Sequence, residues 1–214
     1  MLRSCRALAG LLLLLVASLA QADAATDAAA LVRLERSLAT LDSARADFVQ
    51  QLYTAAGEPT DRATGVLYLK KPGRFRWDYA QPRQLIVSDG MTVSLYDPEL
   101  EQVTVRPVRG ALSQTPAMLL TGEARVRDQF TVRDGGQSDG VDWVLLTPRL
   151  KDTDFRELKL GFVGDQLHRL EFTDALNQRT RIDLSHLERN ARLADTLFQF
   201  VAPPGVDVIG AQGH

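Results

Sequence analysis

The chain has 214 residues, with 25 Lys and Arg against 27 Asp and Glu and a formal net charge of −2. A mildly acidic chain without a block of Lys or Arg lacks the electrostatic footprint of a nucleic-acid binder, so no nucleic-acid partner is expected. Its length suits one domain with a substantial core.

Arg3 and Arg6 precede a short apolar run, Leu8 to Leu19, and Ala20-Gln21-Ala22 follows it. This order of charge, apolar core and small residues is that of a secretory signal peptide, expected to span residues 1–22. The run is too short for a membrane span, and no second apolar run is long enough either. Cleavage is expected after Ala22, with Ala20 and Ala24 as near alternatives, and leaves residues 23–214 as a single domain. Losing the two arginines takes the net charge from −2 to −4. Cys5 is the one cysteine of the chain and leaves with the peptide, so no disulfide or thiolate site is expected. It stands ahead of the apolar run rather than at its end, which is not the place of a lipidated cysteine. A free protein in an exported compartment is expected.

Thr26 or Asp27 can cap a helix running to about Thr40, with Leu31, Leu34, Leu38 and Leu41 at helical spacing. The period then changes to two. Strands are predicted over Ala46–Leu52, Val66–Lys70, Arg74–Tyr79, Leu85–Ser88, Met91–Tyr96 and Gln102–Arg106. Asp89-Gly90 is a hairpin signal. In the third strand Phe75, Trp77 and Tyr79 share one face, and Arg74, Arg76 and Asp78 the other. Thr115, Pro116 and Gly122 bound a short helix presenting Met118, Leu119 and Leu120. It is too short to be stable alone, so it must pack on the sheet or on the first helix. Strands resume over Gln129–Arg133, Val141–Leu146, Glu157–Phe162, Leu167–Phe172, Arg179–Leu184 and Leu197–Phe200, with turns expected at Asp134-Gly135-Gly136, Gly164 and Asn177. Ten or eleven strands in one antiparallel sheet curl because sheets twist. The expected fold is mainly β, an incomplete, unclosed antiparallel barrel with a helical lid.

Catalytic patterns are missing. No GxSxG elbow, P-loop or Rossmann glycine pattern occurs. His168, His186 and His214 lack the spacing of metal ligands. Neither an enzyme activity, a metal nor a cofactor is expected. Phe75, Trp77 and Tyr79 form an apolar surface, but alternation alone does not separate a filled core from a ligand cavity.

Phe48-Val-Gln50, Gly65-Val-Leu-Tyr-Leu-Lys-Lys-Pro72, Phe75-Arg-Trp77, Ser88-Asp-Gly90, Tyr96-Asp-Pro98, Thr115-Pro-x-Met-Leu-Leu and Phe198-Gln-Phe200…Pro203-Pro-Gly-Val206 occur in this order. In that order the chain resembles the LolA family of periplasmic outer-membrane lipoprotein carriers. The resemblance implies a monomeric periplasmic chaperone, without catalysis or cofactor. It takes triacylated lipoproteins from the inner-membrane complex LolCDE and passes them to the outer-membrane receptor LolB. It implies an acyl-chain cavity from Phe48, Leu67, Leu69, Phe75, Trp77, Tyr79, Val87 and Leu95. The lid would be Leu31, Leu34, Leu38, Met118, Leu119 and Leu120. Lys71 stands where the family has a lid-clamping arginine, and lysine lacks the planar fork of that group. Ser94 and Leu95 replace an aromatic pair. Alternatives are a carrier of another lipid or glycolipid, and a LolB-like receptor lacking its lipid anchor.

Overall fold

Twelve strands form one sheet in the order β12-β6-β5-β4-β3-β2-β1-β11-β10-β9-β8-β7. They are β1 (Ser43–Tyr53), β2 (Pro59–Lys70), β3 (Arg74–Gln81), β4 (Gln84–Asp89), β5 (Thr92–Asp97) and β6 (Gln102–Pro107), then β7 (Phe130–Ser138), β8 (Val141–Pro148), β9 (Phe155–Val163), β10 (Gln166–Asp174), β11 (Arg179–Arg189) and β12 (Asp207–Gly210). The computed structural model describes residues 23, 25–108, 117–121, 125–150, 153 and 155–210. The expected signal peptide, Thr115, Pro116, Gly122 and His214 lie outside the described residues, as does the side chain of Met118.

The sheet is unclosed: β12 and β7 are its two edges. Neighbours are antiparallel except β12 and β6, which run parallel. The first helix, α1, spans residues 25–39. Among the described residues, Val108 is helical and two short helices come after it: α2 (Ala117–Leu120) and α3 (Val126–Gln129).

Register explains the inner face. Val144, Leu160, Leu170, Ile182 and Gln50 form one row across five strands. Leu69 sits opposite Ala44 and Phe75, and Leu67 opposite Ala46 and Trp77. Side chains directly opposite in a ladder share a face, so these residues build one core. Leu34 of α1 and Leu119 and Leu120 of α2 complete it from the other side.

Gly65 makes room for this packing. A Cβ there would lie 2.1 Å from the Asp78 carbonyl oxygen and 2.8 Å from the Phe48 ring. At the tip of the β4–β5 hairpin Gly90 has φ +97°, and one Asp89 carboxylate oxygen accepts from the amides of Met91 and Thr92, each at 2.8 Å.

A second, smaller core lies on the outer face. Val87, Val103 and Phe198 are buried there, outside the main cluster. Val87 pairs with Arg76, on the side of the sheet opposite Phe75, Trp77 and Tyr79. A 3-10 helix, Asp195–Phe198, covers this face. Asp195 accepts from Lys70 at 2.6 Å and Arg74 at 2.7 Å, and the Arg74 guanidinium stacks over Phe198.

Several expectations are corrected. The strand expected over Leu197–Phe200 is the end of that 3-10 helix and an extended segment, because Phe198 turns in and is buried beneath the Arg74 guanidinium rather than pairing. The chain instead pairs later, as β12. Asp134-Gly135-Gly136 is an irregularity within β7, and the turn comes at Asp139-Gly140, both with positive φ. Neither expected cap closes α1: the Thr26 hydroxyl donates to the Asp23 carbonyl, and the Asp27 carboxylate accepts from the amide of Asp134.

Candidate functional site

The space between the inner face and α1 is the candidate site. Leu34, Leu38, Leu41 and Leu120 roof it, and Ala44, Ala46, Leu67, Leu69, Phe162, Leu167, Leu184 and Leu187 line its floor and walls. What remains open is about 20 Å³, room for little more than one water-sized sphere. The leucines of α1 and α2 therefore fill most of the space between helices and sheet.

The aromatic row lies beside this cavity and packs as core. Phe48 meets Trp77 edge-on with ring centroids 4.8 Å apart, and Tyr79 at 5.0 Å. Phe75 is fully buried. The Tyr79 hydroxyl donates to Gln50 Oε1 at 3.1 Å, and burial pushes its pKa up to about 12. Trp77 Nε1 is buried with no hydrogen-bond partner among the described residues.

Of the residues expected to form the site, Leu67, Leu69, Leu34, Leu38 and Leu120 line the cavity. Phe48, Phe75, Trp77, Tyr79, Leu31 and Leu119 belong to the adjoining core. Leu95 faces inward opposite Ile86, which is itself opposite Trp77, and is half-buried. Val87 is a correction: it lies on the outer face, in the second core, because the β3–β4 register aligns it with Arg76.

Lys71 grips the end of α1. Its ammonium donates to the Leu38 carbonyl. Partial burial lowers the Lys71 pKa below the usual 10.5; Asp42 opposes this and Arg189 adds to it. Arg189 is a second cation at the same helix end, donating through Nη2 to the Ser37 carbonyl at 3.0 Å and to the Thr40 hydroxyl at 2.9 Å. The last turn of a helix leaves carbonyls without intrahelical partners and carries partial negative charge, so cations are favoured there. Further tethers are the Arg127–Glu35 ion pair between α3 and α1, with Arg127 Nε to Glu35 Oε1 at 2.8 Å, and Arg33–Asp142 at 3.5 Å. The Gly73 amide donates to the Thr121 carbonyl at 3.4 Å, tying α2 to the β2–β3 turn.

Arg189, Phe162, Leu184 and Leu187 are site residues that sequence reasoning missed. Arg189 contacts Ser37 across 152 positions of sequence, a pairing that no local pattern signals. The alternation of β9 and β11 marks Phe162 and Leu184 as core, which is as far as their signal reaches. His168 and His186 are exposed on β10 and β11, and no group of His, Cys, Asp or Glu suited to hold a metal occurs among the described residues.

Residues 39–201 match the family model described as "Outer membrane lipoprotein carrier protein LolA". An outer-membrane lipoprotein carrier protein of Methylococcus capsulatus is 44% identical over 172 residues, covering 78% of this chain and 83% of that one. Its counterpart in Methylibium petroleiphilum is 40% identical over 195 residues, covering 91% and 96%. Among solved structures, an uncharacterized conserved protein from Thermus thermophilus is similar in fold alone. Its TM-score is 0.52 at 16% identity, covering 84% of this chain and 96% of that one. The family match spans most of the chain, and the inner apolar face, helical roof and unclosed sheet agree with the motifs that carry it: this chain belongs to the LolA family of outer membrane lipoprotein carrier proteins.

Proposed function

We propose that this chain is a periplasmic chaperone that shields the acyl chains of lipoproteins between the inner and the outer membrane. One observation carries this reading: an apolar face roofed by leucines that themselves fill the space beneath the helices. Burying one methylene contributes roughly 0.8 kcal/mol, so a long acyl chain resists leaving a bilayer by about ten kcal/mol. A carrier offsets most of that with apolar surface. It must also release its cargo, and a roof that refills the cavity favours release. The cargo class is the triacylated lipoprotein, the donor an ATP-driven LolCDE complex, and the acceptor the receptor LolB. Residues 1–22 direct export and are removed, and the mature chain acts as a monomer without catalysis or cofactor.

The working surface is the cavity wall with Leu67, Leu69 and Phe162, the flanking aromatics Phe48, Phe75, Trp77 and Tyr79, and the inward-facing Leu95. The roof is Leu31, Leu34, Leu38, Leu119 and Leu120, with Met118 in the same lid segment. The test is transfer in vitro. Vesicles holding the donor complex and a lipoprotein are incubated with the purified chain and then with a soluble form of the receptor. Lipoprotein should appear on the chain and move to the receptor. If none leaves the vesicles while an authentic carrier from a relative extracts it, the reading is wrong.

A further inference from the structure

We propose that cargo enters beneath α1 on the flank facing the β9–β10 turn, and that Arg189 shuts this mouth. The proposal rests on the carrier reading above. A groove of about 830 Å³ runs along that flank, lined by Ala28, Ala29, Val32, Arg33, Arg36 and Gln166 among others. Ser37, Phe162 and Arg189 line both this groove and the closed apolar cavity. The two spaces thus meet at one wall, and the Arg189 bonds to Ser37 and Thr40 cross it.

The other flank of α1 is built differently. Its groove, about 410 Å³, shares only Leu38 with the cavity. It is lined by both members of the Arg127–Glu35 ion pair, and Lys71 bonds to Leu38 there. Opening that side means breaking two tethers from two elements. On the Arg189 side Arg33 pairs with Asp142 at 3.5 Å and the Asn190 side-chain amide donates to the Thr40 carbonyl at 3.1 Å, but of these three tethering side chains Arg189 alone also lines the cavity, so it is the one that stands between cavity and groove.

The chemistry of the mouth fits the linkage region of an acylated cargo. Phe162, Val32 and the two alanines offer an apolar throat. Outside it stand Arg33, Arg36, Gln166 and Arg189, with Asp165 as the acidic side chain of the lining. The carbonyls of the two esters and the amide that join acyl chains to a glyceryl-cysteine are hydrogen-bond acceptors, and the amide N–H is the one donor among these linkages. Guanidinium groups are donors without acceptors, so the two are complementary. The acyl chains would lie under α1 and their carbonyls at the arginines.

The test uses the full chain with Cys5→Ser, which leaves no other cysteine. Ala29→Cys and Ala39→Cys, both exposed on α1 but on opposite flanks, are each tagged with a bulky maleimide polymer. Uptake of a fluorescent long-chain acyl ester is followed by stopped flow, with circular dichroism to check the fold. The tag at position 29 should abolish most uptake and the tag at position 39 should leave it intact. Arg189→Ala should speed uptake about tenfold, the scale set by losing a charge-assisted hydrogen bond. Equal effects of the two tags, or a block at position 39 alone, overturn this mouth. Unchanged uptake in folded Arg189→Ala overturns the role of the arginine. Failure of the untagged Cys5→Ser chain to take up any probe would instead sink the carrier reading, and this proposal with it.

Discussion

Lys71 and Gly65 show how much single residues decide. The Lys71 ammonium holds a helix carbonyl but is partly desolvated, and its pKa lies below 10.5. The folded chain therefore sheds this proton at lower pH than the unfolded chain does. The penalty for keeping Lys71 charged is fully present below its folded pKa and disappears as pH rises to 10.5. The grip on Leu38 weakens over the same window. Probe uptake by the wild type should accelerate in that window, and Lys71→Arg should shift the acceleration to higher pH. Lys71→Leu removes the bond at every pH, a loss of about 1 kcal/mol after allowing for partial exposure. It should speed uptake and slow delivery to the receptor; delivery at the wild-type rate would show that other residues hold α1. Gly65→Ala is a packing test. Its methyl would meet a carbonyl oxygen at 2.1 Å, and overpacking on this scale costs about 3 kcal/mol or more. A lowered urea midpoint checks it. The sequence singles out Gly65 as part of a motif, but the reason appears only when β3 and the Phe48 ring are placed around it.

Among the elements, α1 and the 3-10 helix cover opposite faces of one sheet and should respond differently. Leu120→Ala opens the roof of the cavity; truncating a buried leucine costs about 2–5 kcal/mol. It should increase binding of an apolar probe. Phe198→Ala costs about 3–5 kcal/mol by the same mechanism on the outer face, yet should leave probe binding unchanged. If both variants bind the probe alike, the roof is not what fills the cavity. The tether between α1 and α3 adds a pH dependence. The hydrogen bond from Arg127 lowers the Glu35 pKa below 4.5, against a smaller opposing effect of burial. This contribution is present above 4.5 and is lost as pH falls through the lowered value. Uptake by the wild type should therefore rise in acid, and Glu35→Gln should already show the faster rate at neutral pH. Element types were largely legible from period and turn chemistry. The aromatic strand, the Asp89-Gly90 hairpin and the leucine stripe of α1 stand where their patterns place them. Val87, which the resemblance implies for the cavity, faces outward instead, because the β3–β4 register sets it opposite Arg76. Leu197–Phe200 alternates like a strand, but one buried phenylalanine and two cations on Asp195 hold it as a 3-10 turn.

At the scale of the whole molecule, the unclosed sheet gives a carrier two apolar cores with separate duties. The outer one fastens the C-terminal segment across β3 and β4. The inner one is finished by α1 and α2, which side-chain tethers from Lys71, Arg127 and Arg189 and the Gly73–Thr121 backbone bond hold on the sheet. The overall architecture could be read from strand count and sheet twist, and the family from ordered motifs. The closing contacts could not, because Arg189 with Ser37 and Arg127 with Glu35 join residues about 90 to 150 positions apart. The most direct test of the central claim is mass spectrometry of the native chain released from spheroplasts and kept under non-denaturing conditions. Complexes of the chain with acylated lipoproteins are the predicted result. A chain that emerges only free, or bound to a different lipid, would contradict it.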